Sequence, residues 1–226
     1  MQFRHQPRHR GLALLAGLTL AGAVQAQLVV NGSFESPGGC EGGCVLPGGS
    51  TAIPGWITLL SGVEYINPLV LGVGPVPDGL MAVDLANFTY PEGGGIQQTL
   101  PTVTGQTYTL SFSLGNSRFD GRDGTGTVRV QVAGLDLLFN TPVATTVTGV
   151  WATASVDFVA LAASTTLRFL NEQDPLLHYA VIDQVSVVPE LPVWAMSLAG
   201  LVGVIGWASR RLGAATADSA GRRPAI

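Results

Sequence analysis

Between Gln27 and Val188, apolar side chains alternate with polar ones far more often than they recur at helical spacing. In "QTYTLSFSLG", Tyr108, Leu110, Phe112 and Leu114 share one parity, and Thr109, Ser111 and Ser113 the other. In "TVRVQV", Val128, Val130 and Val132 alternate with Arg129 and Gln131. Successive side chains of a strand point to opposite faces, so both stretches predict half-buried strands of an antiparallel sheet. Similar runs at 28–34, 56–60, 63–66, 80–87, 95–100, 150–158, 165–170 and 179–188 bring the expected total to about ten strands. Punctuated by Gly, Pro and Asn turns, they predict an all-β sandwich, and among sandwiches the jelly roll fits best.

The two ends follow another pattern. Arg4, Arg8 and Arg10 precede an apolar run from Gly11, and Val24-Gln25-Ala26 supplies small residues at a cleavage position, so residues 1–26 read as a signal peptide. Residues 191–208 carry no charge and, as a helix, would span about 27 Å, close to the thickness of a hydrocarbon core. Trp194 and Trp207 sit near the ends of this expected transmembrane helix. Arg210 and Arg211 follow as a cytoplasmic flank, with 212–226 as a basic cytoplasmic tail. Residues 27–188 then form one domain facing outward, with enough chain for a sizeable core.

That domain holds four arginines, no lysine and thirteen of the chain's fifteen acids (all but Glu190 and Asp218), a formal charge of −9. Such a surface repels phosphate and excludes nucleic acid and anionic lipid as expected partners. Cys40 and Cys44 in "GGCEGGC" are expected to form a disulfide outside the cytoplasm. The aromatic side chains able to offer a flat binding surface are Trp56, Trp151, Tyr65, Tyr90 and Tyr179. Trp56 and Trp151, at strand starts, are expected in the core, whereas Tyr90 and then Tyr65 are expected to be exposed. In "RFDGRDGTG", Arg118 and Arg122 flank a loop able to project them into a ligand groove. Asp183 is in phase with Val181, Val185 and Val187. No G-x-S-x-G elbow, P-loop or dinucleotide fingerprint is present, and no carboxylate pair is singled out, so no enzymatic activity is expected.

The blocks "LVVNGSFESP", "IPGWITLLSGVEYI", "DGLMAVDLANF", "GGGIQQTL", "GQTYTLSFSLGN" and "AVIDQVSV", in that order, resemble the choice-of-anchor C proteins within domain of unknown function 642. The resemblance implies a galactose-binding-like jelly roll over residues 27–188 and carbohydrate among its ligands. It also implies a structural calcium held in part by Glu35 and Asp183, with an Asp merely bonded to backbone N–H groups as the alternative. The segment Val188-Pro189-Glu190, an apolar helix and Arg210-Arg211 resemble a PEP-CTERM sorting signal at 189–211, although the third motif position is Leu191 and fifteen residues follow Arg211. That likeness implies an exosortase-type transpeptidase as partner, an inner-membrane anchor with the domain in the periplasm, and delivery to the cell surface or extracellular matrix. The expected function is non-catalytic binding of extracellular polysaccharide, with Tyr65, Tyr90 and Arg118 as candidate contacts. The alternatives are a matrix protein without a specific ligand, and a cell-wall glycan hydrolase.

Overall fold

The computed structural model describes residues 27–87, 93–122 and 125–190. Within them eleven strands form two antiparallel sheets: β1 (Gly43–Leu46), β2 (Ile57–Leu60), β3 (Val63–Ile66), β4 (Ala82–Asp84), β5 (Gly94–Pro101), β6 (Thr107–Asn116), β7 (Thr127–Val132), β8 (Leu135–Asn140), β9 (Val150–Val159), β10 (Ser164–Asn171) and β11 (Val181–Pro189). One sheet has the order β1-β3-β4-β11-β6-β9 and the other β2-β5-β10-β7-β8. The last eight strands thus run β4-β11-β6-β9 and β5-β10-β7-β8, the two interlocked Greek keys of a jelly roll. Among the described residues no helix is long and apolar enough to cross a membrane. The expected signal peptide, the apolar 191–208 segment, and Arg210 and Arg211 lie outside the described residues.

The alternation read from sequence becomes the core. Leu110, Phe112 and Leu114 of β6 meet Val128 and Val130 of β7 and Leu167 and Phe169 of β10 between the sheets, all buried. The Phe112 ring stands edge-on to Phe169 at 5.0 Å, and Trp56 joins Phe34 at 5.4 Å and Phe169 at 6.3 Å, so Trp56 is a core residue.

Three departures from the expected strands have local causes. Residues 28–34 form no strand, because Asn31 and Phe34 adopt φ of 54° and 59°; the Gln98 side-chain amide replaces a partner strand there, accepting from Val30 N at 2.7 Å and donating to Val30 O at 2.9 Å. Strands β1 and β8 fall outside the expected runs: both are edge strands with half-exposed or exposed side chains, so neither has a buried face to mark it. Strand β11 is bulged, with Asp183 opposite Ser113 but Ser186 opposite Ser111. Gln184 takes φ 53° at the bulge. The extra residue reverses the expected phase: Ile182, Val185 and Val187 face the core, while Val181 joins a separate cluster. At the far end Pro189 still pairs with Tyr108 and Glu190 N donates to Thr107 O at 2.9 Å, so the sandwich runs two residues past the expected boundary at 188.

Candidate functional site

Residues of opposite parity to the core build the outer face of the six-stranded sheet. Here Ile66, Ala82 and Val181 form a small second apolar cluster, on which Leu71, Val76, Trp151 and Tyr179 pack. It floors an open cleft whose enclosed volume of about 160 Å³ is below the about 300–1,000 Å³ of pockets that engulf a drug-sized ligand, so it can seat a ring against one wall rather than enclose a whole molecule. Pro68, Leu71 and Val73, from the β3–β4 connection, form one wall and Phe119 and Asp120 another. Gly149 N donates to Val73 O at 2.8 Å, tying these loops together beside the cleft.

Trp151 is the principal aromatic surface. In β9 it has the opposite parity to Ala154, Val156 and Phe158, which turn to the core, so the pleat carries Trp151 outward. Its ladder partner is Gly115, and a Cβ there would meet the indole ring at 2.6 Å. Glycine lets the indole lie down on the strand. The expectation of a core position for Trp151 is corrected accordingly: it is half-buried and lines the cleft. That parity was present in the sequence, as the signal that would have found it.

The acidic side of the cleft rests on the β3–β4 pair. Glu64 lies opposite Asp84 in the ladder, both at outward positions. Asp84 is fully buried: its Oδ1 accepts from Ala86 N at 2.9 Å and its Oδ2 from Arg122 Nη1 at 3.0 Å. The Arg122 guanidinium also sits 3.9 Å from the centre of the Tyr179 ring, which fixes that ring at the cleft. Burial pushes the Asp84 carboxyl up, and Arg122 opposes the shift. Burial, then the Asp84 charge, raises Glu64, while burial raises the Tyr179 hydroxyl. Asn116 and Ser117 also line the cleft, but their side chains hold the neighbouring loop, donating to Pro142 O and Val147 O.

The residues expected to bind sugar are placed differently. Tyr65 is only 2 % exposed; its hydroxyl donates to Phe34 O and accepts from Gly38 N at 3.1 Å. The expectation that Tyr65 is an exposed platform is therefore corrected: its parity matches Val63, and both point into the core. Tyr90 lies outside the described residues. Arg118 is exposed between the cleft residues Ser117 and Phe119, with its backbone N–H bonded to Thr146 O.

Glu35 and Asp183 lie beside the backbone of residues 78–81. Glu35 Oε1 accepts from Leu80 N at 2.9 Å and Met81 N at 2.8 Å. Asp183 Oδ2 accepts from Asp78 N at 3.0 Å and Oδ1 from Gln184 N at 2.6 Å. Burial, with added repulsion from Asp78 and Glu35, pushes the Asp183 carboxyl up to about 7. Among the described residues no group of three acidic, His or Cys side chains gathers around one point. The two carboxylates nevertheless offer hard oxygens of the kind Ca²⁺ takes, their repulsion is what a bound cation would relieve, and backbone carbonyls would have to complete its shell. Cys40 and Cys44 are joined in a disulfide just ahead of and within β1. Val188 and Pro189 end β11, and Glu190 is tied back by Thr109 Oγ1 at 3.1 Å.

A family profile described as protein of unknown function, DUF642, matches residues 27–188. A plant relative, "Protein DUF642 L-GALACTONO-1,4-LACTONE-RESPONSIVE GENE 2" of Arabidopsis thaliana, is 31% identical over 159 residues, covering 64% of this chain. The matched stretch spans 39% of that relative's length. Among solved structures, "CBM4 structure and function" is similar at TM-score 0.42 and 13% identity, covering 72% of this chain and 99% of that one. TmCBM61 in complex with beta-1,4-galactotriose is similar at TM-score 0.45 and 13% identity, covering 73% and 100%. Arabinose-bound MgGH51 a-L-arabinofuranosidase is similar at TM-score 0.44 and 17% identity, covering 75% of this chain and 27% of that one.

Proposed function

Given that this chain belongs to the DUF642 family, we propose that it is a non-catalytic carbohydrate-binding protein whose cleft on the six-stranded sheet takes sugar residues of an extracellular polysaccharide. One observation carries the reading: Trp151 lies on Gly115 in an open cleft that Tyr179 and the Glu64 carboxylate also line. A flat indole offers the apolar face of a sugar ring a stacking surface, while Glu64 accepts from its hydroxyls. Arg118, exposed beside the cleft, can reach a longer chain.

Asp84 is withdrawn from any hydrolytic role, so a hydrolase would have to pair Glu64 with Asp120. Glycosidic cleavage asks for two working carboxylates, and Asp84, opposite Glu64, already accepts from Arg122 and Ala86. Calcium, where bound, would be held in part by Glu35 and Asp183 and would brace the 78–81 backbone. Export by the 1–26 signal peptide, anchoring through 191–208, and passage by an exosortase-type transpeptidase to the cell surface complete the reading. They rest on the sequence of those segments and their likeness to choice-of-anchor C and PEP-CTERM proteins.

The test is a glycan screen of the purified full chain in calcium-containing buffer, with reducing-end release measured in parallel. Saturable binding of one polysaccharide class without release is the expected result. Reducing ends released by the wild type but not by Glu64→Gln would replace the reading with a hydrolase. No binding anywhere, together with self-association, would replace it with a matrix protein that has no ligand.

A further inference from the structure

The cleft offers an aromatic wall, and its charge narrows what it takes. Among the described residues three carboxylates line it, those of Glu64, Asp84 and Asp120, and no lysine or arginine does. Arg122 stands behind this lining, 1 % exposed, paired with Asp84 and stacked on Tyr179. One of the three charges is thus balanced within the protein, while Glu64 and Asp120 face the occupant.

Glu64 is the distinctive member. It is half-buried in the β1–β3–β4 ladder, and its carboxylate feels Arg122 through space, while the guanidinium's short contact is to Asp84. Its carboxylate lies against Gly43, where a Cβ would come within 2.5 Å of Oε1, so the missing side chain at Gly43 makes room for it. Burial and then the Asp84 charge disfavour its ionised form, and the Arg122 charge offsets them only in part. A cation in the cleft would reverse that penalty, and a neutral hydroxyl would do so only in part. Asp120, held in a left-handed turn at φ 54°, adds a second carboxylate at the wall. The indole of Trp151 is a favourable face for a cation as well as for a sugar ring.

Resting on the carbohydrate reading of the same cleft, we infer that its preferred occupant is a protonated amino sugar, a hexosamine without its acetyl group, whose ammonium meets Glu64 while its ring stacks on Trp151. Uronic acids are rejected by the same carboxylates. N-acetylated sugars lose the charge and add bulk, and neutral sugars keep only stacking and hydroxyl contacts.

The experiment titrates the full chain by calorimetry, at about pH 6 and low ionic strength, with tetramers of glucosamine, N-acetylglucosamine, glucose and galacturonic acid. The expected result is binding of the glucosamine tetramer about tenfold or more tighter than the glucose tetramer, with no galacturonate binding. Glu64→Gln should remove most of that preference, weakening the glucosamine tetramer far more than the glucose tetramer, which loses only a hydroxyl contact. Equal or weaker binding of the glucosamine tetramer overturns the inference and leaves the carbohydrate reading standing if Trp151→Ala abolishes the neutral binding. A preference that survives Glu64→Gln also overturns it, since diffuse attraction to an acidic surface would then be responsible. No binding of any tetramer overturns the inference, and the carbohydrate reading falls with it only if the broad glycan screen is also blank.

Discussion

Arg122 is the residue on which the cleft's internal order depends, because it neutralises Asp84 and fixes Tyr179 at once. Replacing it by Met leaves a fully buried carboxylate without its ion pair, and urea unfolding should show a loss of about 3–5 kcal/mol. Asp84→Asn combined with Arg122→Met should lose less than Arg122→Met alone; an equal or larger loss would mean the pair is not the reason. Tyr65→Phe tests another buried polar group: removing the hydroxyl that joins Phe34 O and Gly38 N should cost about 1–2 kcal/mol without touching glycan affinity. At this scale the sequence was legible where parity was respected. Trp151 is out of phase with Phe158, and Tyr65 is in phase with Val63, so both orientations could be read, although strand position and aromatic character suggested otherwise. Asp183 could not be placed this way, because the bulge lies between it and Val185 and Val187, two of the three valines used to judge its phase.

Among elements, the β6–β9 pair matters most to the site. Gly115 and Trp151 are direct ladder partners, and Gly115→Ala would drive a methyl into the indole. We expect weaker glycan binding by about tenfold, read by titration, with the melting temperature lowered far less than by a core truncation. The β1 edge makes a contrasting prediction. Its disulfide closes a ring of only a few residues, so Cys40→Ser with Cys44→Ser should lower stability by about 2 kcal/mol or less. Central strands were legible because both their faces are specified, one by the core and one by solvent. Edge strands β1 and β8 were not, since a strand that buries little has no need to alternate. The 28–34 segment failed in the opposite way: it has the composition of a strand, but left-handed residues and the Gln98 amide take the place of a ladder.

For the molecule as a whole, the jelly roll ends where the expected sorting signal begins. Glu190 accepts from Gln106 Nε2 at 2.7 Å and from Thr109, and donates to Thr107 O, so a fragment ending at 188 should melt below one ending at 190. Equal melting would show that these bonds contribute nothing to the sandwich. The sequence carried the two-sheet architecture and the acidity of the surface, because both are sums over many positions. The cleft was not legible, since it depends on which outward residues the β3–β4, β6–β7 and β8–β9 connections bring together. The central claim is that the outer face of the six-stranded sheet, and not the opposite face, holds the sugar. Its most direct measurement is a titration of full-length Trp151→Ala, with Thr166→Ala on the five-stranded sheet as control, against the glycan that the wild type binds. We predict affinity reduced by about tenfold or more for Trp151→Ala and unchanged for Thr166→Ala. Unchanged affinity for Trp151→Ala in a folded protein would contradict the account.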